Sequence, residues 1–256
     1  MADNSEGDTR PQDQPRQQTQ PRGIKDIIVD LVEQKMELLL WLSRLACTMF
    51  TVSYLLGGLG GNPYSLYQKA LICNGVTSAL RLHQRAPTVR LNAEFLTTIL
   101  VEDSCHYLIY SLIFLSCPPI SMVLLPPMLF AVLHSTLFSL QLLERAGLQH
   151  SKVSECLRIL LQSNRVRVFR LIAMTEIFLM PTVIIGLFCG RVSLMAPFMY
   201  YRFLKLRYAS MRNPYNRNVF YELKLHANQL AALPNCPMII QRGIYFIVRF
   251  IESRAG

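Results

Sequence analysis

Five long runs of apolar residues constrain the fold of this chain more than any other feature. A helix of about 20 apolar residues crosses the hydrocarbon core of a bilayer. Four of the runs reach that length, and the fifth is borderline. Backbone N–H and C=O groups in lipid must be bonded within the protein, so such runs are helical. The sequence therefore predicts an all-α integral membrane protein, a multi-pass helical bundle with runs at residues 38–56, 99–117, 120–143, 171–189 and 192–206.

The composition agrees with a membrane protein and gives no sign of an enzyme. Hydrophobic residues make up 52% of the chain and charged residues only 16%, against roughly 25% charged in soluble domains. The seven cysteines contain no CxxC pair, which disfavours a disulfide framework or a zinc site. No GxSxG, HExxH or Walker A motif occurs. We therefore expect no enzyme activity, no catalytic residue, no cofactor and no metal.

The links between the apolar runs are short. Pro118–Pro119 alone separates the second run from the third, and Gly190–Arg191 separates the fourth from the fifth. Links of this length allow only tight hairpins, which either span the membrane twice or dip into one leaflet. A further helical segment, 64–82, is apolar enough to lie at the membrane surface or to enter the membrane partly.

Basic residues lie beside the apolar runs. Residues 202–256 hold 9 Lys/Arg against 2 Asp/Glu, and residues 144–170 hold 6 against 2. This placement favours the positive-inside rule and anionic lipid headgroups as the explanation, rather than direct binding of nucleic acid. If all five runs span, these basic segments and the C-terminus are cytosolic, whereas residues 1–37 are lumenal.

The chain outside the membrane domain (residues 38–208) divides into three parts. Residues 1–22 are a polar tail that we predict to be disordered. Residues 23–37 have the spacing of an amphipathic helix. Residues 209–256 form a basic tail with further amphipathic helices.

The last of these amphipathic helices, 238–252, has the pattern of a helix that lies in a membrane interface. Ile244 and Ile247 belong to its aliphatic face, and Arg242 and Arg249 to its polar face. The alternative is that this helix packs on the protein's own surface.

Two charged residues lie inside apolar runs and need partners there. We take as a hypothesis that Arg44 and Glu176 form an intramembrane pair, or that Arg44 meets Glu102 or Asp103. The functional alternative is an ion or proton path.

Two further groups of residues invite a functional interpretation. Cys105 and His106 suggest a membrane transferase, but neighbouring helical residues point about 100° apart, and a bond between Glu102 and His106 is the simpler interpretation. A mixture of aromatic and basic residues predicts an interfacial belt or a docking site for a partner: Tyr200, Tyr201, Arg202, Arg207, Arg212 and Tyr215.

Several segments resemble the transmembrane protein 33 family. They read WLSRL, TSALRLHQR, EDSCHYLIYSLIF, EIFLMP and PFMYYRFLKLRYASMRNPYNRNVFYEL, and they begin at Trp41, Thr77, Glu102, Glu176 and Pro197. The resemblance implies a multi-pass, non-enzymatic protein of the endoplasmic reticulum and nuclear envelope. It implies roles in organising reticulum tubules and nuclear pores, with reticulon-type proteins and pore components as partners. Regulation of a reticulum ion channel or of stress signalling is the alternative that the resemblance leaves open.

Overall fold

A computed structural model describes residues 35–59, 61–85, 99–210, 214–233 and 236–255. These ranges contain helices and turns and no strand, so the predicted all-α class is confirmed. The predicted tail 1–22, and residues 23–34 of the predicted first amphipathic helix, lie outside the described residues. In chain order the α-helices are α1 (Lys35–Leu55), α2 (Pro63–Arg85), α3 (Asp103–Leu115), α4 (Leu125–Arg145), α5 (Lys152–Phe188), α6 (Met195–Ala209), α7 (Tyr215–Ala231) and α8 (Met238–Ala255), and a 3₁₀ turn, Ser121–Leu124, precedes α4.

Three helical segments are long and apolar enough to cross a membrane: Lys35–Leu55, Ser121–Arg145 and Asn164–Phe188. The second and fifth predicted runs, 99–117 and 192–206, form shorter helices. With 13 residues, α3 is about 20 Å long, and with 15 residues α6 is about 22 Å long. Since the hydrocarbon core is about 30 Å thick, neither helix crosses it alone, which corrects the prediction for the second run.

Helix α2 is a member of the bundle, although the count of apolar runs did not include it. It turns back along α1, and at its end Gln84 Nε2 donates to Glu37 Oε1 at 3.1 Å. The turn between them needs glycine: Gly58 has φ +85°, and a Cβ there would lie 2.9 Å from Pro63 Cγ. One face of α2 is buried at helical spacing, which places it between α1 and α3 rather than on the membrane surface.

Helices α3, α4, α5 and α6 also alternate in direction, and α4 runs antiparallel to α1. Trp41 Nε1, near the start of α1, donates to Ser139 Oγ, near the end of α4, at 3.2 Å. At the other end of the bundle the hydroxyls of Tyr54 and Ser121 lie 3.2 Å apart. We call the end that contains residues 35–37, 84–85, 102–103 and 139–145 the basic end, and the end that contains the turns at 56–62, 116–124 and 189–194 the turn end.

The hydrophobic core lies where α3 and α6 meet. The rings of Phe114 and Tyr200 are 5.4 Å apart, and those of Tyr110 and Phe203 are 5.1 Å apart. Gly186 allows the close link from α5 into α6, because a Cβ there would lie 2.9 Å from Val192 Cγ2. Helix α6 therefore runs antiparallel to α3 and ends at the basic end.

Helix α5 is longer than its apolar run predicts. It has 37 residues, and residues 152–163 extend beyond the segment that is apolar enough to span. Helix α7 packs along α5, with Tyr215 stacked on Phe169 at 5.2 Å and an ion pair between Arg170 and Glu222. Helix α8 packs on α7, where Gln241 Nε2 donates to the carbonyl of Ala231 at 3.0 Å.

This arrangement corrects the predicted topology. Because α2 returns the chain, the start of α1 and the end of α6 lie at the same end of the bundle. The count of five runs instead predicted that these two points lie at opposite ends of the bundle.

We expect a tag placed before α1 and a tag placed after α8 to respond alike to protease in sealed microsomes. Single-cysteine variants supply the control. Cys156 is exposed near the start of α5, and Cys189 is exposed at the turn end. An impermeant maleimide should label Cys156 from the side where the tags are cleaved, and Cys189 only from the other side. Cleavage of one tag with protection of the other would show that α2 does not cross with α1.

Candidate functional site

Glu176 is fully buried in the middle of α5 and lies at the centre of a polar cluster. Its Oε2 accepts from Arg207 Nε at 3.1 Å and from Asn216 Nδ2 at 2.8 Å. The hydroxyl of Tyr107 donates to Oε1, and that of Tyr200 donates to the Glu176 carbonyl at 2.7 Å. The side chains of α3, α6 and α7 therefore meet on one carboxylate of α5.

Arg207 extends this cluster to a second acid. Its side chain is fully buried, and Nη1 lies 3.0 Å from Oδ1 of Asp103, a residue that is one-third exposed. The guanidinium carbon is 5.2 Å from the centre of the Tyr107 ring and 6.0 Å from that of Phe130, within the range of cation–π attraction. One buried cation thus joins two carboxylates and two aromatic rings.

The structure corrects the hypothesis that Arg44 and Glu176 pair. Glu176 binds Arg207, and the two other acids proposed for Arg44 are also bound elsewhere. Asp103 binds Arg207, and Glu102 forms an ion pair with Arg85. The carboxylate of Glu176 accepts from three donors of the protein itself, which gives no support to the ion-path alternative.

Arg44 instead lines a cavity of about 610 Å³ beside the cluster. The cavity lies between α1, α2, α3, α4, α5 and the start of α7. Four arginines line it, together with polar side chains of α2 and aromatic side chains of α4 and α5: Arg44, Arg81, Arg85, Arg165, Asn74, Thr77, Ser78, Phe130 and Phe169. All four arginines lie within electrostatic reach of His134, which also lines the cavity.

The burial of these arginines is graded. Arg44 is only 4% exposed, Arg81 is partly buried, and Arg85 and Arg165 are exposed. Arg85 is paired with Glu102, and Arg165 lies 5.9 Å from the centre of the Phe169 ring. Within the described part of the chain, the side chains of Arg44 and Arg81 form neither a hydrogen bond nor an ion pair. Positively charged side chains therefore line the cavity from its exposed side to its buried side.

The predicted aromatic and basic belt does not form a single surface. Tyr200 and Arg207 are fully buried, so their assignment to a membrane interface is wrong. Tyr201 is partly buried, and Arg202 is exposed over the Phe198 ring at 5.5 Å. Tyr215 stacks on Phe169, as described above. Arg212 lies outside the described residues.

Cys105 and His106 do not form a nucleophilic pair. Both side chains are buried, and His106 Nε2 lies 2.6 Å from the carbonyl of Leu100. The nearest carboxylate to the ring is that of Asp103, at 3.8 Å, rather than that of Glu102 as the sequence suggested. Among the residues that the structure describes, no group of His, Cys, Asp and Glu is arranged to hold a metal.

The predicted membrane-surface helix corresponds to α8. Arg242 and Arg249 are exposed and line a groove between α7 and α8, whereas Ile244 is partly buried. The side chain of Ile247 lies outside the described residues. The most exposed apolar side chains of α8 are Ile239, at 85%, and Phe246, at 72%.

Sequence reasoning missed Arg207 as the partner of Glu176, although a signal was present. Arg207 lies seven residues after Tyr200 in α6, so both fall on one helical face. Phe203 and Leu204 lie between them on that same buried face. An arginine on the apolar face of a helix indicates a buried charge that needs an acid.

The amino-acid sequence is similar to those of known proteins. Residues 19–256 match the family described as Transmembrane protein 33/Nucleoporin POM33. Transmembrane protein 33 of Rattus norvegicus is 41% identical over 226 residues, which cover 88% of this chain and 92% of that protein. Krueppel homolog 2 of Drosophila melanogaster is 40% identical over 212 residues, covering 82% of this chain and 76% of that protein. No solved structure matches.

The polar cluster predicts that substitutions of Glu176 and Arg207 have strongly coupled effects on the free energy of unfolding. We expect Glu176→Gln and Arg207→Gln each to destabilise the protein by about 3–5 kcal/mol, because each leaves a buried charge without its main partner. The double variant should lose clearly less than the sum of the two. Thermal unfolding in detergent measures the three variants.

Arg44→Gln supplies the control for this prediction. Because Arg44 and Glu176 are not in contact, their effects should add within about 0.5 kcal/mol. Coupling between Arg44 and Glu176, or simple addition between Glu176 and Arg207, would contradict the assignment of partners.

Proposed function

Because the chain belongs to the Transmembrane protein 33/Nucleoporin POM33 family, we propose that it is a non-enzymatic organiser of endoplasmic reticulum and nuclear envelope membranes. In this proposal the membrane protein shapes reticulum tubules and arranges nuclear pores through its hairpins and its C-terminal helices. Reticulon-type membrane proteins and pore components are the partners we propose. The word nucleoporin in the family description supports the pore, and the resemblance set out above supports the reticulum.

The distribution of charge supports a cytosolic basic end. The turns at 56–62, 116–124 and 189–194 contain one charged residue, Arg191. The segments beyond the other end contain most of the lysines and arginines. Since Lys and Arg are retained on the cytosolic side, we propose that α7, α8 and both ends of the chain are cytosolic.

The observation that carries the proposal is the exposed face of α8. Ile239 and Phe246, seven residues apart, share one face of the helix, and α7 leaves both largely uncovered. Arg242 and Arg249 are exposed beside them. Apolar side chains flanked by arginines are typical of a helix that inserts into the headgroup region of an anionic membrane.

The position of α7 and α8 supports membrane shaping in particular. Helix α7 packs on α5 near the basic end and α8 packs on α7, and α5 itself extends beyond its spanning segment there. We infer that the protein occupies more area on the basic side of the membrane than on the other side. Such a difference favours a membrane that is convex on the side with the larger protein cross-section.

We expect Ile239→Asp combined with Phe246→Asp to reduce tubulation of liposomes that contain the purified protein, and to reduce its enrichment at the nuclear rim. Arg242→Glu with Arg249→Glu should act in the same direction. Removing two arginines from an anionic surface weakens binding by about 2 kcal/mol, or roughly 30-fold. Residence in the reticulum should persist, because the spanning helices remain.

Val153→Asp is the matched control, since Val153 is 60% exposed on α5 and lies outside α8. It should leave tubulation and nuclear-rim enrichment unchanged. Equal activity of the α8 variants and the control would contradict the proposed role of α8.

A further inference from the structure

The arginine-lined cavity contains a buried cation without a partner. Arg44 is 4% exposed, and it forms no ion pair or side-chain hydrogen bond with any described residue. A guanidinium group carries five N–H donors, and burying a charge without a partner is costly. The neighbouring carboxylates do not remove this charge. Asp103 is bound by Arg207, Glu102 by Arg85, and Glu37 accepts from Gln84.

The other arginines increase the positive potential of the cavity. Arg81 acts electrostatically on Arg44, and Arg85 acts on Arg81. Glu37 opposes this effect on both Arg44 and Arg81, but without direct contact. Like charges that are held together around a shared space favour a multivalent anion between them.

The shape and lining of the cavity narrow the class of ligand. A volume of about 610 Å³ is typical of ligand sites, which span roughly 300–1,000 Å³, and it far exceeds the space that a bare phosphate ion needs. Ser78 offers a hydroxyl group on one wall, while Phe130 and Phe169 offer an apolar wall. The planar fork of arginine binds phosphate oxygens in a bidentate manner.

We propose that this cavity binds a phosphate monoester, with Arg44, Arg81 and Arg165 contacting the phosphate. Arg165 and Arg85 at the exposed side attract the ligand, and Arg44 at the buried side holds it. The cavity lies toward the basic end of the bundle, which in this proposal is close to the lipid headgroups. The ester is therefore either a phospholipid headgroup or a soluble molecule. This inference does not depend on the proposed role of α8.

The test uses the full chain purified in detergent and titration calorimetry with two matched probes. Dioctanoyl phosphatidic acid carries the phosphate on a lipid, and glycerol phosphate carries the same group without acyl chains. Dioctanoyl phosphatidylcholine controls for binding of the chains alone. Binding of phosphatidic acid only assigns the cavity to a lipid, and binding of both esters assigns it to soluble phosphate esters.

Arg81→Gln combined with Arg165→Gln should weaken binding of the ester about tenfold or more, because two charge-assisted contacts are lost. The matched control is Arg167→Gln with Arg217→Gln, which removes two exposed arginines that do not line the cavity. The control should change the affinity by less than about twofold, within ordinary variation for distant sites. Circular dichroism and gel filtration check that each variant folds, and Arg165→Gln alone serves if the double variant does not.

Three results would overturn the proposal. The first is that the wild-type protein binds neither ester, as expected if water alone fills the cavity. Equal weakening by the control pair would mean that general surface charge, not the cavity, attracts the probe. Loss of binding in the Arg242→Glu, Arg249→Glu variant would place the ester on α8.

Discussion

The buried contact between Glu176 and Arg207 is the interaction on which the arrangement of the bundle depends. A carboxylate in the middle of a spanning helix is stable only when donors surround it. Here the donors come from Tyr107, Arg207 and Asn216, each on a different helix. Rotating or sliding any of these helices would separate charges inside an apolar environment. The polar cluster therefore fixes the register of helices whose apolar contacts alone would permit several packings.

The cluster also explains how the short helices are accommodated. Neither α3 nor α6 is long enough to cross a bilayer alone. Their basic ends meet through Arg207 and Asp103, and their rings stack along the remainder of their length. The two helices pack on each other, α2 also packs on α3, and α5 also packs on α6. The start of α6 stays exposed, with Met195 at 69% and Phe198 at 53%, so only one side of it is covered by the bundle.

The sequence predicted the class of fold and the spanning segments of α1, α4 and α5, because a continuous apolar stretch is a local property. It predicted a helix at 64–82 but not the position of α2 inside the bundle, because Asn74, Ser78 and Arg81 lower the apolar character of this helix. These polar groups face Ser111 of α3 or the cavity rather than lipid. The partner of Glu176 was missed for a related reason. Charges that are 31 residues apart along the chain can be matched only after the helices are packed.

The two buried arginines, Arg207 and Arg44, differ in their partners. Arg207 contributes to the stability of the fold, whereas Arg44 is proposed to bind a ligand. Arg207 is surrounded by two carboxylates and two aromatic rings that belong to the protein itself. Arg44 is almost as deeply buried, yet no carboxylate of the described residues contacts its side chain, and Glu37 acts on it only at a distance. A charge whose partners are all internal contributes to a fixed structure. A buried charge without internal partners raises the free energy of the protein, and a bound anion would lower it. The polar cluster and the cavity share a wall at Asp103 and Tyr107, so a ligand of Arg44 would be held by the same helices that Glu176 keeps in register.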